Sequence, residues 1–338
     1  FWPAVLSAVR KSTSDRNQGK IFGLLEGGRG GIELLQNLLT VGLYTALGYS
    51  VLGLEVAFMV NAVIMVVLGL VAWFILPRET LLKAGSNKTL ANQEVLAGMK
   101  AMLLLPEVWL AGVIGFTVYL AYTAMPFFLT YLQDLHALPL LAISIFGIAS
   151  TSGGRIGMAL PSGFLSDRFL GGAVGGMRLG LILVLLFGLL MTQLPTTEGF
   201  AWPAMTIMTT LAFLFFFMRA LYFAPFGEMG LPQRFSGSVI AIAAFIIYLP
   251  TSFAYLLWGW LLDNKPGAEG YHYMFGVLAV VAGLGGAVAH VLKRRIDRGS
   301  SITIAQKVAD LDDALGLDGE EKTLTSLIDN QIDRQLDN

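Results

Sequence analysis

The residues best placed to do chemistry are charges where charge is costly. In Leu24-Leu25-Glu26-Gly27-Gly28-Arg29-Gly30-Gly31-Ile32-Glu33, three ionisable side chains interrupt an apolar stretch. At roughly 100° per residue, Glu26, Arg29 and Glu33 fall within about 60° of arc on one helical face, and Gln36 and Asn37 flank it. Arg155 and Arg219 are set deep in two further apolar stretches. A charge inside a bilayer costs several kcal/mol and marks a functional position by default. Three guanidiniums opposed by two carboxylates leave a net positive interior. Arginine stays charged when buried and holds carboxylate or phosphate bidentately, so the chemistry expected is capture of a small anion.

Those side chains need elements that cross a membrane, and the composition supplies them. Of 338 residues, 55% are apolar and 13% charged, with a mean hydropathy of +0.69. A soluble domain carries about 25% charged residues, so a soluble enzyme, a nucleic-acid binder and a disordered chain are excluded. The net charge of −1 offers no basic excess for nucleic acid, and the absence of cysteine removes disulfides and thiolate chemistry.

Spanning helices need about 20 mostly apolar residues. Eight such stretches are expected, at 20–47, 51–76, 108–132, 140–165, 177–194, 202–226, 238–262 and 271–292. An apolar stub over 1–9 reads as the end of a helix whose beginning is missing. Pro126, Pro161 and Pro250 mark kinks. Counted from Lys20, Arg29 lies about 13 Å along its helix, near the middle of a core about 30 Å thick. Arg155 and Arg219 reach about 16 Å and 10 Å from the ends of theirs.

Loop charges set the orientation. Arg10, Lys11, Arg16, Arg78, Lys83, Lys88, Lys100, Arg168, Arg178, Arg234 and Lys293-Arg294-Arg295 fall in one set of connections. The alternate set holds Lys265 with Asp134, Glu198, Asp263 and Glu269. The basic set, the 77–105 loop and the C-terminus are therefore assigned to the cytoplasm. Residues 299–338, with nine acidic and three basic side chains, read as an acidic cytoplasmic tail, partly helical and partly disordered.

Several look-alikes fail. Gly283-Leu284-Gly285-Gly286-Ala287-Val288-Ala289 has the letters of a dinucleotide fingerprint inside an apolar span, where close helix packing is the better account. The Gly27–Gly31 cluster lacks the Lys-Ser/Thr of a phosphate loop. His136, His272 and His290 are too scattered to bind metal. Asn87-Lys88-Thr89 is a glycosylation sequon on the side assigned to the cytoplasm.

Gly163-Phe164-Leu165-Ser166-Asp167-Arg168, at the cytoplasmic end of the second span after a long polar loop, resembles the G-x-L-S/A-D-R loop motif of the major facilitator superfamily. Trp2-Pro3-Ala4 leading to Gln18-Gly19-Lys20 is echoed by Ala224-Pro225-Phe226 leading to Gln233-Arg234-Phe235-Ser236-Gly237, as two homologous bundles would leave. The first of these connections is similar to the helix 4–5 region of the branch that carries organic anions and organophosphates. The resemblance implies an all-α polytopic fold of two six-helix bundles, with helices 1–3 and most of helix 4 missing. Residues 1–76 would be the remnant of the N-terminal bundle, 77–105 the central loop and 106–298 the C-terminal bundle. It implies a secondary transporter that rocks around a midplane site, a symporter or antiporter coupled to protons or a counter-anion, with no enzymatic activity, cofactor or metal.

On this reading Arg29, Arg155, Arg219, Glu26, Tyr119 and Tyr122 bind substrate. Glu26 and Glu33 exchange protons, and Gly163, Asp167 and Arg168 form a gating motif. That branch also carries a basic residue on helix 7, where this chain offers only Tyr119, Tyr122 and Tyr131. Other assignments stay open: mutual neutralisation of Glu26 and Arg29 at i, i+3, structural roles for Arg155 and Arg219, and packing for Tyr119, Tyr122, Tyr222 and Tyr248. The expected partners are a small anionic substrate and the lipid bilayer, with no nucleic acid, and the chain is expected to be monomeric. The competing function is a transporter-fold sensor signalling through its tail.

Overall fold

The computed structural model describes residues 18–48, 50–75, 103–229 and 236–298. The stub at 1–9, most of the 77–105 loop, Arg234 and the acidic tail lie outside these residues. Every regular element among the described residues is helical. Apolar side chains cover the outward faces, including Phe58, Val66, Phe74, Leu186 and Leu256. Such a surface needs lipid around it, and in lipid a helix satisfies its own backbone polar groups.

The first two helices, α1 (Gln18–Ala46) and α2 (Val51–Ile75), form a hairpin. Its turn carries Gly48 at φ 70, a left-handed position that suits glycine. Asn61 Nδ2 donates to Thr40 Oγ1 across the pair at 2.9 Å. Helix α2 is long and apolar enough to cross a membrane, and α1, with Glu26, Arg29 and Glu33 along it, is not among the helices that are. This matches the polar stripe expected on the first span.

The next span is α3 (Pro106–Tyr122) and α4 (Pro126–His136), and it is followed by α5 (Leu140–Ile148). Helix α5 runs without interruption through two π-helical turns, Ala149–Gly153 and Arg155–Ala159, into α6 (Leu160–Phe169). Helix α7 (Ala173–Gln193) crosses next, then α8 (Ala201–Leu221) with its short extension α9 (Pro225–Glu228). The last spans are α10 (Ser236–Tyr248), a 3₁₀ turn over Leu249–Ser252 and α11 (Ala254–Asn264), then α12 (Ala268–Asp297). Helices occupy all eight expected stretches, and six of them are long and apolar enough to cross a membrane.

Helices α3–α12 share one core, in which Phe128, Tyr131, Phe215, Phe226, Trp258 and Phe275 are completely enclosed. Small residues let the spans approach. A Cβ on Gly285 would meet Thr117 Oγ1 at 2.3 Å, so the Gly283–Ala289 sequence packs α12 against α3. Close backbone approach is how membrane helices gain packing energy without a hydrophobic drive between them.

Among the described residues three spans break beside a proline. The breaks fall at Thr123–Met125 before Pro126, at Tyr222–Ala224 before Pro225, and around Pro250. Proline donates no backbone hydrogen bond and clashes with the preceding turn. At each break the last helical or first non-helical residue is a tyrosine: Tyr122, Tyr222 and Tyr248. The first break is braced from α11, where Trp258 Nε1 donates to Thr123 Oγ1 at 2.9 Å.

Candidate functional site

The polar face of α1 packs against the π-helical turns, α6 and α8. The approach is made by glycine. A Cβ on Gly23 would lie 2.6 Å from the Ala159 carbonyl oxygen, and one on Gly30 2.5 Å from Arg155 Cβ. The Lys20 end of α1 is thus closed against α6, and Phe22 packs on Phe223 at 6.2 Å between ring centres. Farther along, α1 borders an open cavity of about 410 Å³ that reaches from Glu33, Asn37 and Thr40 to Ser150, Tyr122 and Tyr255.

The five charged residues expected at the site gather in this region, in two pairs and a singleton. Arg29 Nη1 donates to Glu26 Oε1 at 2.6 Å along one helical face. Of the alternatives open for these two residues, this geometry is the i, i+3 pair. Arg155 Nη1 donates to Glu33 Oε2, joining the π-helical turns to α1. π-helical turns occur often at functional positions. Here they coincide with Gly153-Gly154, and the close contact of Gly154 with Phe216 lets the Arg155 guanidinium lie 5.1 Å above that ring.

Arg219 is different. It is 6% exposed and forms no ion pair among the described residues. Its Nε and Nη1 are buried without a hydrogen-bond acceptor. Rings take the place of a carboxylate: its guanidinium carbon sits 4.1 Å from the centre of Tyr122, 5.6 Å from Tyr119 and 5.8 Å from Phe216. Cation–π attraction is worth about 2 kcal/mol when desolvated, less than the several kcal/mol cost of burying an ion. The Tyr222 and Tyr248 hydroxyls, 2.8 Å apart, close the same layer, and Tyr248 stands edge-on to Tyr119 at 4.9 Å. Both tyrosines border helix breaks. Ser150, on the cavity wall, also has a buried hydroxyl without a partner.

Chemically, the cluster carries three positive and two negative groups, and Arg219 is the cation that forms no ion pair among the described residues. Two of its donors await an acceptor, and Tyr122 is shared between its cage and the wall of the 410 Å³ cavity. Phe216, which underlies both Arg155 and Arg219, was not singled out by sequence. Its signal was the i, i+3 spacing to Arg219 within Leu214-Phe215-Phe216-Phe217, which reads equally as core.

The motif residues lie apart, at the end of α6. Gly163 is buried and Asp167 and Arg168 are exposed. Burial by neighbouring groups pushes the Asp167 carboxyl above its usual range, and Lys20 at the start of α1 pulls it back, so the motif meets α1 at this rim. Arg168 folds back over Phe169 and Phe164, at 5.7 and 6.0 Å. The loop behind the motif turns through Gly171 and Gly172, both at positive φ. The Glu228 carboxylate then caps α7, accepting from the amides of Ala173 and Val174. A Cβ on Gly172 would strike that carboxylate. Among the described residues no cluster of histidine and carboxylate side chains suits a metal.

Comparison with known proteins fits this architecture. The chain is 27% identical over 302 residues to the inner membrane protein YihN of Escherichia coli (strain K12), covering 88% of this chain and 70% of that protein. It is 25% identical over 281 residues to the inner membrane protein YqcE of the same organism, covering 81% of this chain and 65% of that one. The model of the Major Facilitator Superfamily matches residues 1–254. The chain, an all-helical multi-pass membrane protein, belongs to the Major Facilitator Superfamily, a family of membrane transporters rather than enzymes.

Proposed function

We propose that this transporter moves a small organic anion across the inner membrane by alternating access. The observation that carries the reading is Arg219, a buried guanidinium with two unfilled donors and no ion pair among the described residues. A protein interior does not keep an unpaired ion without a use for it, and a substrate carboxylate or phosphate supplies the missing charge with bidentate geometry. Tyr119 and Tyr122 shape the cage, while Arg155 and Arg29 widen the positive field once their partners let go.

Alternating access follows from the contacts of α1. Residues 1–76 act as part of an N-terminal bundle and 106–298 as the C-terminal bundle. The Lys20 end of α1 is sealed on α6 by glycine contacts, and the cavity borders its other half. With the basic loops and C-terminus in the cytoplasm, this is an outward-facing state with a closed cytoplasmic gate. Gly163, Asp167 and Arg168 belong to that gate.

Coupling is assigned to Glu33, whose pair with Arg155 crosses between the bundles. A proton on Glu33 releases Arg155 and weakens the link, making transport proton-coupled. Glu26 holds Arg29 and serves as the second exchange site. Uptake by the full-length protein in liposomes tests the reading: anionic compounds compete with one another for transport, and neutral or cationic analogues of the same size do not. Equal competition by neutral analogues would overturn it.

A further inference from the structure

We propose that a groove between α7 and α12, on the lipid-facing side of the bundle, binds an anionic phospholipid. The groove has a volume of about 640 Å³. It exists because small residues, Gly175 on α7 and Gly283, Gly286 and Ala287 on α12, leave the two helices without side chains to fill the space between them. Its walls are Leu179 and Ile182, both 41% exposed, in a position where acyl chains lie.

Charge at the mouth selects the occupant. Arg178 is five residues into α7, about 7 Å along the axis, the depth at which phosphates sit. Its Nη1 lies 3.4 Å from His290 Nδ1 on α12. Arginine only donates, so His290 Nδ1 is the acceptor here and brings no charge of its own, and Arg178 pairs with no carboxylate among the described residues. Their neighbours differ: Lys293 Nζ holds Asp297 at 2.5 Å, and Arg295 reaches Glu107 at 3.1 Å. Arg178 is thus an uncompensated cation above an apolar slot that opens sideways. A soluble anion would satisfy the charge and leave the slot empty; a zwitterionic lipid would fill the slot and bring its own cation. A phospholipid with a net negative headgroup meets both demands, as basic pockets between spans do generally. The groove shares no residue with the cage around Arg219, so its occupancy is independent of the substrate reading.

The test uses the full-length protein in mixed micelles of phosphatidylcholine and phosphatidylglycerol, with retained lipid counted by native mass spectrometry. Wild type retains phosphatidylglycerol in preference to phosphatidylcholine. Arg178→Gln weakens that retention about five-fold, the worth of one basic contact at about 1 kcal/mol, and Arg178→Lys restores it. Ala287→Trp, at an exposed position, fills the slot, leaves Arg178 and His290 in place and also loses the lipid. Should Arg178→Gln fail to fold, Ala287→Trp carries the test by itself. Equal retention of the two lipids by wild type, or wild-type retention by the variants that fold, overturns the proposal. Displacement of the lipid by inorganic phosphate alone would assign the site to a soluble anion instead.

Discussion

Replacing Arg219 separates a binding charge from a structural one. Its Nε and Nη1 are buried donors with no acceptor. If a substrate anion fills both, and each charge-assisted bond contributes about 1.5 kcal/mol, the low end of the usual range, Arg219→Gln loses about 3 kcal/mol of binding. At 1.4 kcal/mol per decade that is about a hundred-fold rise in apparent KM or Kd. Arg219→Lys keeps the charge and one point of contact, which predicts a loss of about ten-fold. Stability should move the other way. An arginine holding the fold together through ion pairs destabilises when removed, by about 3–5 kcal/mol for a buried pair. Among the described residues Arg219 has no such pair, so neutral Arg219→Gln should leave the thermal midpoint of the substrate-free protein unchanged or higher. The assays are liposome uptake across substrate concentrations and thermal unfolding in detergent. Unchanged apparent affinity in Arg219→Gln refutes the reasoning; so does a large fall in the midpoint, which would make Arg219 structural.

Other outcomes follow from the same geometry. Glu33→Gln removes the charge that holds Arg155, so uptake driven by a pH gradient is lost while substrate exchange continues; retention of pH-driven uptake excludes Glu33 as the coupling group. Gly23→Leu sets a side chain against the Ala159 carbonyl, 2.6 Å from the position of its Cβ. Overpacking of this kind costs about 1–3 kcal/mol, so the contact between the Lys20 end of α1 and α6 opens and cysteines introduced near Lys20 label faster; unchanged labelling contradicts the closed contact. Glu228→Ala removes the carboxylate that accepts from the first amides of α7, and its effect is read in the pH dependence of the thermal midpoint. Burial pushes the Glu228 carboxyl up more than the Ala173 and Val174 amides pull it down. Its charged form therefore costs stability, the contribution falls as pH rises through its folded-state pKa, and wild type gains on mild acidification where Glu228→Ala does not.

Much of this architecture was legible because hydrophobic length and proline are local signals. Helices lie within a few residues of all eight apolar stretches, six of them of membrane-crossing character, and breaks fall beside the expected Pro126 and Pro250, whereas Pro161 sits in a continuous helix and the break before Pro225 was not foreseen. The polar stripe of α1 was readable from three charges on one arc, and Arg155 and Arg219 from their depth. The pairing was not. Arg29 with Glu26 is a neighbour contact on one helix and stood among the alternatives. Arg155 with Glu33 joins residues 122 positions apart, and only the packing of α1 on the π-helical turns brings them together. The π-helical turns themselves have no pattern of their own in Ala149-Ser150-Thr151-Ser152-Gly153, which reads as a small-residue packing stretch. Phe216 was hidden for a similar reason: an aromatic among aromatics reveals its role only when a guanidinium is found over its face. The lipid groove arises from residues that are missing rather than present, the small side chains of α7 and α12.

The most direct measurement is a density map of the full-length protein with a transported compound bound. The account predicts a carboxylate or phosphate within hydrogen-bonding distance of Arg219 Nε and Nη1, framed by Tyr119 and Tyr122, with the rest of the molecule extending toward Ser150 and Asn37. A bound compound that leaves those two nitrogens empty, or an Arg219 engaged by a carboxylate of the protein itself in that state, would contradict it.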